Sequence, residues 1–510
     1  MTLPVPADVD RPAQPRTAIV PLTAERRMIA TPWSRMVRAL GLGQDPTGPD
    51  AAVERFVRET YGALVARVGE GNPYTVFCAL LGDLVLDATM PGGLGADEAE
   101  RRLPALLAAA RSEPNAYYRL TALCLLAESW VKAGLDAAVL TQDEPDLPGL
   151  VLSALDQIRP DQIQDENHGR HGQYERLSAS TSAFLAVGHL GATHRLEQDG
   201  KDRVRESLSL LAQIPAPFFR GRGGSMLMSV AALLGRADAV SGAGPDHLRA
   251  TLNYLDRAAE INLPPAFPSP MTPAFGRIYP LLTMLNAVAA VGRTEVLDEG
   301  HDRLDEAEDL YRRLAPAERT HMGLYFLMAL HNLGRLGERR PDLEDDVTEL
   351  VGQWRQGDPG ADYFLHGISY PYLIETARLF GRTDLLPEVM LDRLAGAFVD
   401  LERSAEHRAN RPYPFSYAVS TLGALDRLDL LSTPDQRYGG QSATEWVIER
   451  LSPSGRAEGN RLFMLNHALL HLALRQRDPA RAEPDLFAGF TFVTDRSSPI
   501  DTQPIRHLQR

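Results

Sequence analysis

Apolar residues return along most of this chain at intervals of three and four, the spacing that lines one face of an α-helix. The stretch Ala51-Ala52-Val53-Glu54-Arg55-Phe56-Val57-Arg58 shows the pattern, and no sustained alternation of period two, the mark of a half-buried strand, interrupts it. Helix stops are legible as well. Gly292-Arg293, Gly334-Arg335 and Gly381-Arg382 sit just past apolar runs, where a left-handed C-terminal residue is expected. Asp342 and Asp384 stand before helical runs as candidate N-caps.

Two kinds of helix alternate. The first is apolar all round and opens on an aromatic residue; its leads fall at Tyr74, Tyr118, Tyr174, Phe219, Tyr279, Tyr325, Tyr370, Tyr417 and Phe463. The second is charged with a single apolar stripe, as over 97–110, 202–213, 302–313, 345–356 and 387–403. Steps between leads are mostly about 45 residues, with two nearer about 56. A helix that is apolar all round must be buried, and one with a single stripe covers it from outside. The predicted fold class is therefore all-α: repeated antiparallel helical hairpins of about 45 residues, forming an (α/α) toroid with extra hairpins or an α-solenoid. Residues 1–48 read as a Pro-rich N-terminal arm, 49–477 as the helical-hairpin repeat domain, and 478–510 as a C-terminal tail holding one strand-like scrap at 487–493.

Composition narrows the class without redirecting it. Of 510 residues, 44% are hydrophobic and 24% charged, as in ordinary globular chains. A net charge of −14 argues against nucleic acid or an anionic membrane surface as the main partner. Lysine is confined to Lys132 and Lys201 against a large arginine content, which reads as the coding bias of a high-GC bacterium. Two cysteines, Cys78 and Cys124, cannot build a disulfide scaffold or a four-cysteine zinc site. No secretory signal and no apolar run of about 18 residues is apparent, so the expected location is cytoplasmic, with no transmembrane segment.

The aromatic leads are the most systematic chemical feature. If the same end of each buried helix faces one space, Tyr74, Tyr118, Tyr174, Phe219, Tyr279, Tyr325, Tyr370, Tyr417 and Phe463 either wall a pocket for a large apolar or a cationic ligand or plug the axis as core. In Arg220-Gly221-Arg222-Gly223-Gly224-Ser225, glycines and two arginines at an expected helix start suggest an anion site, with Arg220 and Arg222 as substrate-binding residues. Asp83 and Asp87, four apart in an apolar run, are candidates for proton transfer or for holding a metal such as Mg. His168, His171 and Glu175 could converge as metal ligands or as acid–base partners at a cavity mouth, and His366 with Tyr370 could line its wall. His467 and His471 have the spacing of a zinc helix, but Ala468 stands where the metalloprotease glutamate belongs. No nucleophile elbow, dinucleotide fingerprint or paired CxxC occurs.

The alternation of aromatic-led inner helices with charged outer ones resembles the (α/α) barrel superfamilies, which include the terpenoid cyclases and the lanthionine cyclases. The likeness spans about residues 50–477 and is architectural. Asp83 and Asp87 are similar to the spaced carboxylates of class I prenyl-diphosphate enzymes, without a second metal motif. Asp342-Leu343-Glu344-Asp345-Asp346 does not match the acidic motif of the class II cyclases, and the zinc cysteines of the lanthionine cyclases are absent. What the resemblance implies is a bacterial enzyme of secondary metabolism, a lyase or cyclase acting on an isoprenoid. A non-catalytic repeat scaffold that binds a protein or peptide on its concave face is the alternative.

Overall fold

The computed structural model describes residues 51–68, 73–89, 96–160, 164–165, 170–242, 244–258, 261, 272–356, 369–403, 412–450 and 469. Seventeen helices of seven residues or more lie among them. In chain order these are α1 (Ala51–Val68), α2 (Pro73–Thr89), α3 (Ala96–Ser112), α4 (Ala116–Lys132), α5 (Leu147–Asp156) and α6 (Gly172–His189). Then come α7 (Arg203–Ser209), α8 (Pro217–Leu233), α9 (His247–Arg257), α10 (Pro273–Val291), α11 (Arg303–Arg312) and α12 (Pro316–Asn332). The last are α13 (Leu336–Gln356), α14 (Tyr370–Leu379), α15 (Glu388–Arg403), α16 (Pro412–Ala424) and α17 (Ala443–Glu449). The fold of the described residues is all-α; one pairing of two-residue strands, Gln164–Asp165 with Arg170–His171, stands outside the helices.

The even-numbered helices form the core. Each packs against the next even helix from α2 through α16, and the odd-numbered helices lie against them from outside. In α8 every residue from Gly221 to Ala231 is buried, whereas α1 and α3 alternate buried and exposed positions. Five even helices (α2, α8, α10, α12 and α16) begin at proline, whose fixed φ and missing N–H suit a first helical turn. At the other end each even helix from α4 to α16 is closed by a left-handed residue: Gly134, Gly191, Gly235, Gly292, Gly334, Gly381 and Asp426. There the chain reverses while its last carbonyls still find donors, as when Gly292 and Arg293 both donate to Val288 O at 2.9 and 3.1 Å. The Gly-Arg stops are thus helix C-termini. Asp342 is not an N-cap, because α13 starts earlier, at Leu336.

The starts of the even helices show that short and long steps alternate, so the unit that recurs is a pair of hairpins about 100 residues long rather than one. Buried arginines keep that register. Arg203 reaches back to Asp156 at 3.1 Å, and Arg303 to Asp256 at 2.5 Å. Asp146 caps α5 and pairs with Arg195, as Asp246 caps α9 and pairs with Arg293. These pairs link hairpins far apart in sequence and leave Arg303 1% exposed.

The first and last of these helices meet: α1 packs against α17, and Arg67 Nη2 donates to Glu449 O at 3.0 Å. Among the described helices, α10 is long and apolar enough to cross a membrane, but most of it is buried between α8 and α12, which accounts for its composition.

At Gly221 two core helices approach closely. A Cβ there would stand 2.7 Å from Pro280 Cβ on α10, while a Cβ on Gly223 would meet the Tyr174 ring of α6 at 3.0 Å. Gly62, on the exposed side of α1, has nothing within 4 Å. Two substitutions of the same chemistry should therefore act in opposite directions. Gly221→Ala is expected to lose about 1–3 kcal/mol by overpacking, and Gly62→Ala to gain about 0.5–1 kcal/mol through helix propensity. Urea unfolding midpoints check both, and equal shifts would contradict the packing at Gly221.

Candidate functional site

Helical spacing builds the site. Three consecutive core helices each present a pair of residues four apart on one face: Phe218 and Arg222 on α8, Phe275 and Tyr279 on α10, His321 and Tyr325 on α12. Their rings join into a ladder. Tyr174 of α6 lies 4.8 Å, centroid to centroid, from Phe219, and Phe218 lies 5.5 Å from Tyr279. Tyr279 packs on Tyr325 at 5.1 Å with their hydroxyls 3.2 Å apart. His321 and Tyr325 both reach Tyr372 of α14, at 4.7 and 5.7 Å, and Tyr372 leads to Tyr417 of α16 at 6.4 Å. Edge and tilted geometries of this kind are the favoured ones for aromatic rings. All of these side chains are buried.

One cation sits in the ladder. Arg222 is 1% exposed, and its guanidinium carbon lies 5.6 Å from the Tyr279 ring centroid. Its charge is felt on the neighbouring helices. Burial, helped by Arg222, lowers the His321 pKa to about 3. Burial first, and then the tyrosines beside them, push the Tyr325 and Tyr372 phenols well above their ordinary range. At neutral pH the imidazole is uncharged and these phenols stay protonated, so positive charge and hydroxyl groups share one buried, apolar cluster. Such a set suits an anionic head group joined to an apolar body.

Some of the expected residues fall in this ladder and others do not. Tyr174, Phe219, Tyr279, Tyr325 and Tyr417 belong to it, while Tyr74 and Tyr118 pack on each other at 5.2 Å between α2 and α4. Tyr370 is buried at the first position of α14, and it is Tyr372 that meets His321 and Tyr325; two residues along a helix is more than half a turn. Arg220 and Arg222 diverge for the same reason. The glycine-rich stretch is not a helix start, since α8 begins at Pro217. Arg220 turns outward to the Ile214 and Ala212 carbonyls at 2.8 and 2.7 Å and lies over the Tyr254 ring at 3.6 Å. The glycines serve close approach of α8 to α6 and α10, which offsets their low helix propensity.

The acidic candidates lie elsewhere. Asp83 is nine residues from Tyr74, half a turn out of phase, so it points away from the Tyr74–Tyr118 pair and is exposed. Asp87 bridges α1 and α3, taking Arg58 at 3.4 Å on one oxygen and Arg102 at 2.9 Å on the other. Partial desolvation by the neighbouring helix, and then the charge of Asp87, raise the Asp83 pKa against the opposing pull of Arg102. Two arginines thus stand where a magnesium ion would have to approach Asp87. His171 lies in the second short strand and Glu175 in the first turn of α6, so a strand-to-helix junction separates them; Glu175 is buried. His168, His366, Phe463, His467, His471 and the 487–493 stretch lie outside the described residues, as does the His171 side chain.

The depressed His321 pKa sets a pH dependence. An unfolded chain takes up a proton at this histidine as pH falls below about 6.5, and the folded chain does not until about 3. Stability is therefore undiminished by this residue above about 6.5 and falls through that window, by at most about 1.4 kcal/mol per pH unit. Denaturant titrations at pH 7 and pH 5 should show wild type losing about 1–2 kcal/mol more than His321→Gln. Equal losses would mean that His321 is charged, or solvated, in the folded protein.

No protein-family model, no curated protein and no solved structure matches this chain, so its chemistry rests on the residues described above.

Proposed function

We propose that the chain is a small-molecule enzyme built as a closed (α/α) toroid, in which Arg222 holds the anionic head of an amphipathic substrate and the tyrosine ladder faces its apolar body. The observation that carries this reading is the burial of a permanent cation, Arg222, in the middle of an aromatic cluster drawn from successive core helices. An arginine fork matches the oxygens of a carboxylate or phosphate, and the rings around it suit an apolar chain. Contact between α1 and α17 supports closure, because an open superhelix keeps its ends apart. A prenyl diphosphate combines the required head and body, and the aromatic faces would stabilise positive charge developing along such a chain.

The scaffold reading is weaker on two counts. A concave binding face needs an open array, which the α1–α17 contact opposes. Among the described residues Val389 is the one large hydrophobic side chain left exposed, so the described surface offers no apolar patch for a partner.

Incubation with prenyl diphosphates and magnesium, read by product analysis and by thermal shift, tests the proposal. Wild type should be stabilised by the substrate and by inorganic pyrophosphate. Arg222→Met should lose both responses, and Tyr325→Phe, which deletes one hydroxyl, should bind the head group and turn over more slowly. Neither turnover nor any shift in wild type would leave the ladder as core packing and the function unassigned to it.

A further inference from the structure

Away from the ladder, on the outer wall, the end of α9 meets the start of α11. His301 Nε2 lies 2.7 Å from Glu306 Oε2 and 3.9 Å from Asp256 Oδ1, and one donor atom from each of the three residues falls within 4.8 Å of the others. We propose that Asp256, His301 and Glu306 form a binding site for one divalent transition-metal ion of the zinc class, independent of the function assigned to the ladder.

The carboxylates are aimed by their outer partners. Asp256 gives Oδ2 to Arg303 at 2.5 Å and Glu306 gives Oε1 to Arg277 at 2.5 Å, so each turns its other oxygen toward the imidazole. Hydrogen bonds to the outer side of a carboxylate fix the orientation of a metal ligand. Zinc bound tetrahedrally at about 2.0–2.2 Å keeps its nitrogen and oxygen donors about 3.3 Å apart, a spacing that the two observed separations bracket. His301 is 41% exposed, which leaves the ion a path from solvent and a place for bound water.

The preceding pair of hairpins supplies an independent comparison. Asp156, Arg203 and Glu206 occupy the positions of Asp256, Arg303 and Glu306 one repeat earlier, and Lys201 occupies that of His301. There the Lys201 ammonium lies 3.5 Å from Asp156 Oδ2. In one repeat the aspartate of this pair is met by the tethered cation Lys201, with Arg176 at 3.7 Å on its other oxygen; in the next, lysine is replaced by a side chain whose nitrogen coordinates a metal when neutral. The proposed ion takes the charge position that Lys201 fills in the sister site.

Zinc titration of the metal-stripped full-length chain, followed by calorimetry and by thermal shift, tests the site. Wild type should bind one zinc that is absent from His301→Lys and His301→Gln, or held there at least about tenfold more weakly. Zinc should raise the wild-type Tm and leave that of His301→Lys unchanged. His301→Lys restores the cation of the sister repeat, so its Tm without metal should match or exceed that of wild type, which separates loss of the site from loss of the fold. Cobalt in place of zinc should give the intense visible absorption of a low-coordinate site in wild type alone. Equal binding by wild type and both variants would overturn the proposal. So would a wild type that binds no zinc and responds at His301 only to pH, which would make the slot a proton site.

Discussion

At Gly221 a hydrogen stands where any other residue would drive a carbon to 2.7 Å from the Pro280 ring, and the separation of α8 and α10 follows from that. Gly223 and Gly224 extend the effect: Tyr174 lies against one, and Leu211 with Thr251 against the other. With three glycines in one helix, α8 can be approached from several directions at once. That closeness brings Phe218, Phe219 and Arg222 within reach of rings on α6 and α10, so the aromatic ladder depends on it. Glycine in a helix interior costs about 1 kcal/mol each relative to alanine, and the packing gained by the neighbouring side chains has to exceed that sum.

The core helices leave little room for charge, yet arginine enters it repeatedly. Arg203 and Arg303 are buried with an aspartate from the preceding outer helix and a backbone carbonyl, a fork that matches both acceptors. Burying such pairs contributes little net stability and is a strong constraint on register, because breaking one leaves a charge without compensation. The hairpins are held apolar face to apolar face by non-directional burial, and the arginines say which hairpin sits against which.

Much of the architecture was readable from periodicity. The all-round apolar helices, the charged outer ones and the Gly-Arg stops all follow from which positions water can reach. The double-hairpin unit was harder to see, because its register is carried by pairs such as Arg203–Asp156 whose partners lie far apart in the chain. Site residues were less legible for a related reason. Tyr370 and Tyr372 are indistinguishable in the sequence, because packing of the helix against its neighbours decides which one faces the ladder. The Arg220–Ser225 stretch resembled a helix start because local propensity disfavours glycine there, and tertiary contact overrode propensity. Asp83 and Asp87 resembled a metal pair because Arg58 and Arg102, which neutralise Asp87, come from other helices.

The meeting of α1 with α17 bears on how the molecule comes apart. An open row of hairpins sheds its outermost unit by breaking one interface, and such arrays fray from their ends with partly melted states. Here the first and last described helices hold each other, so removing either one breaks an interface on both sides. Fraying would lose its cheapest route there, and the described hairpins should unfold in a more nearly all-or-none transition than a repeat architecture alone would give.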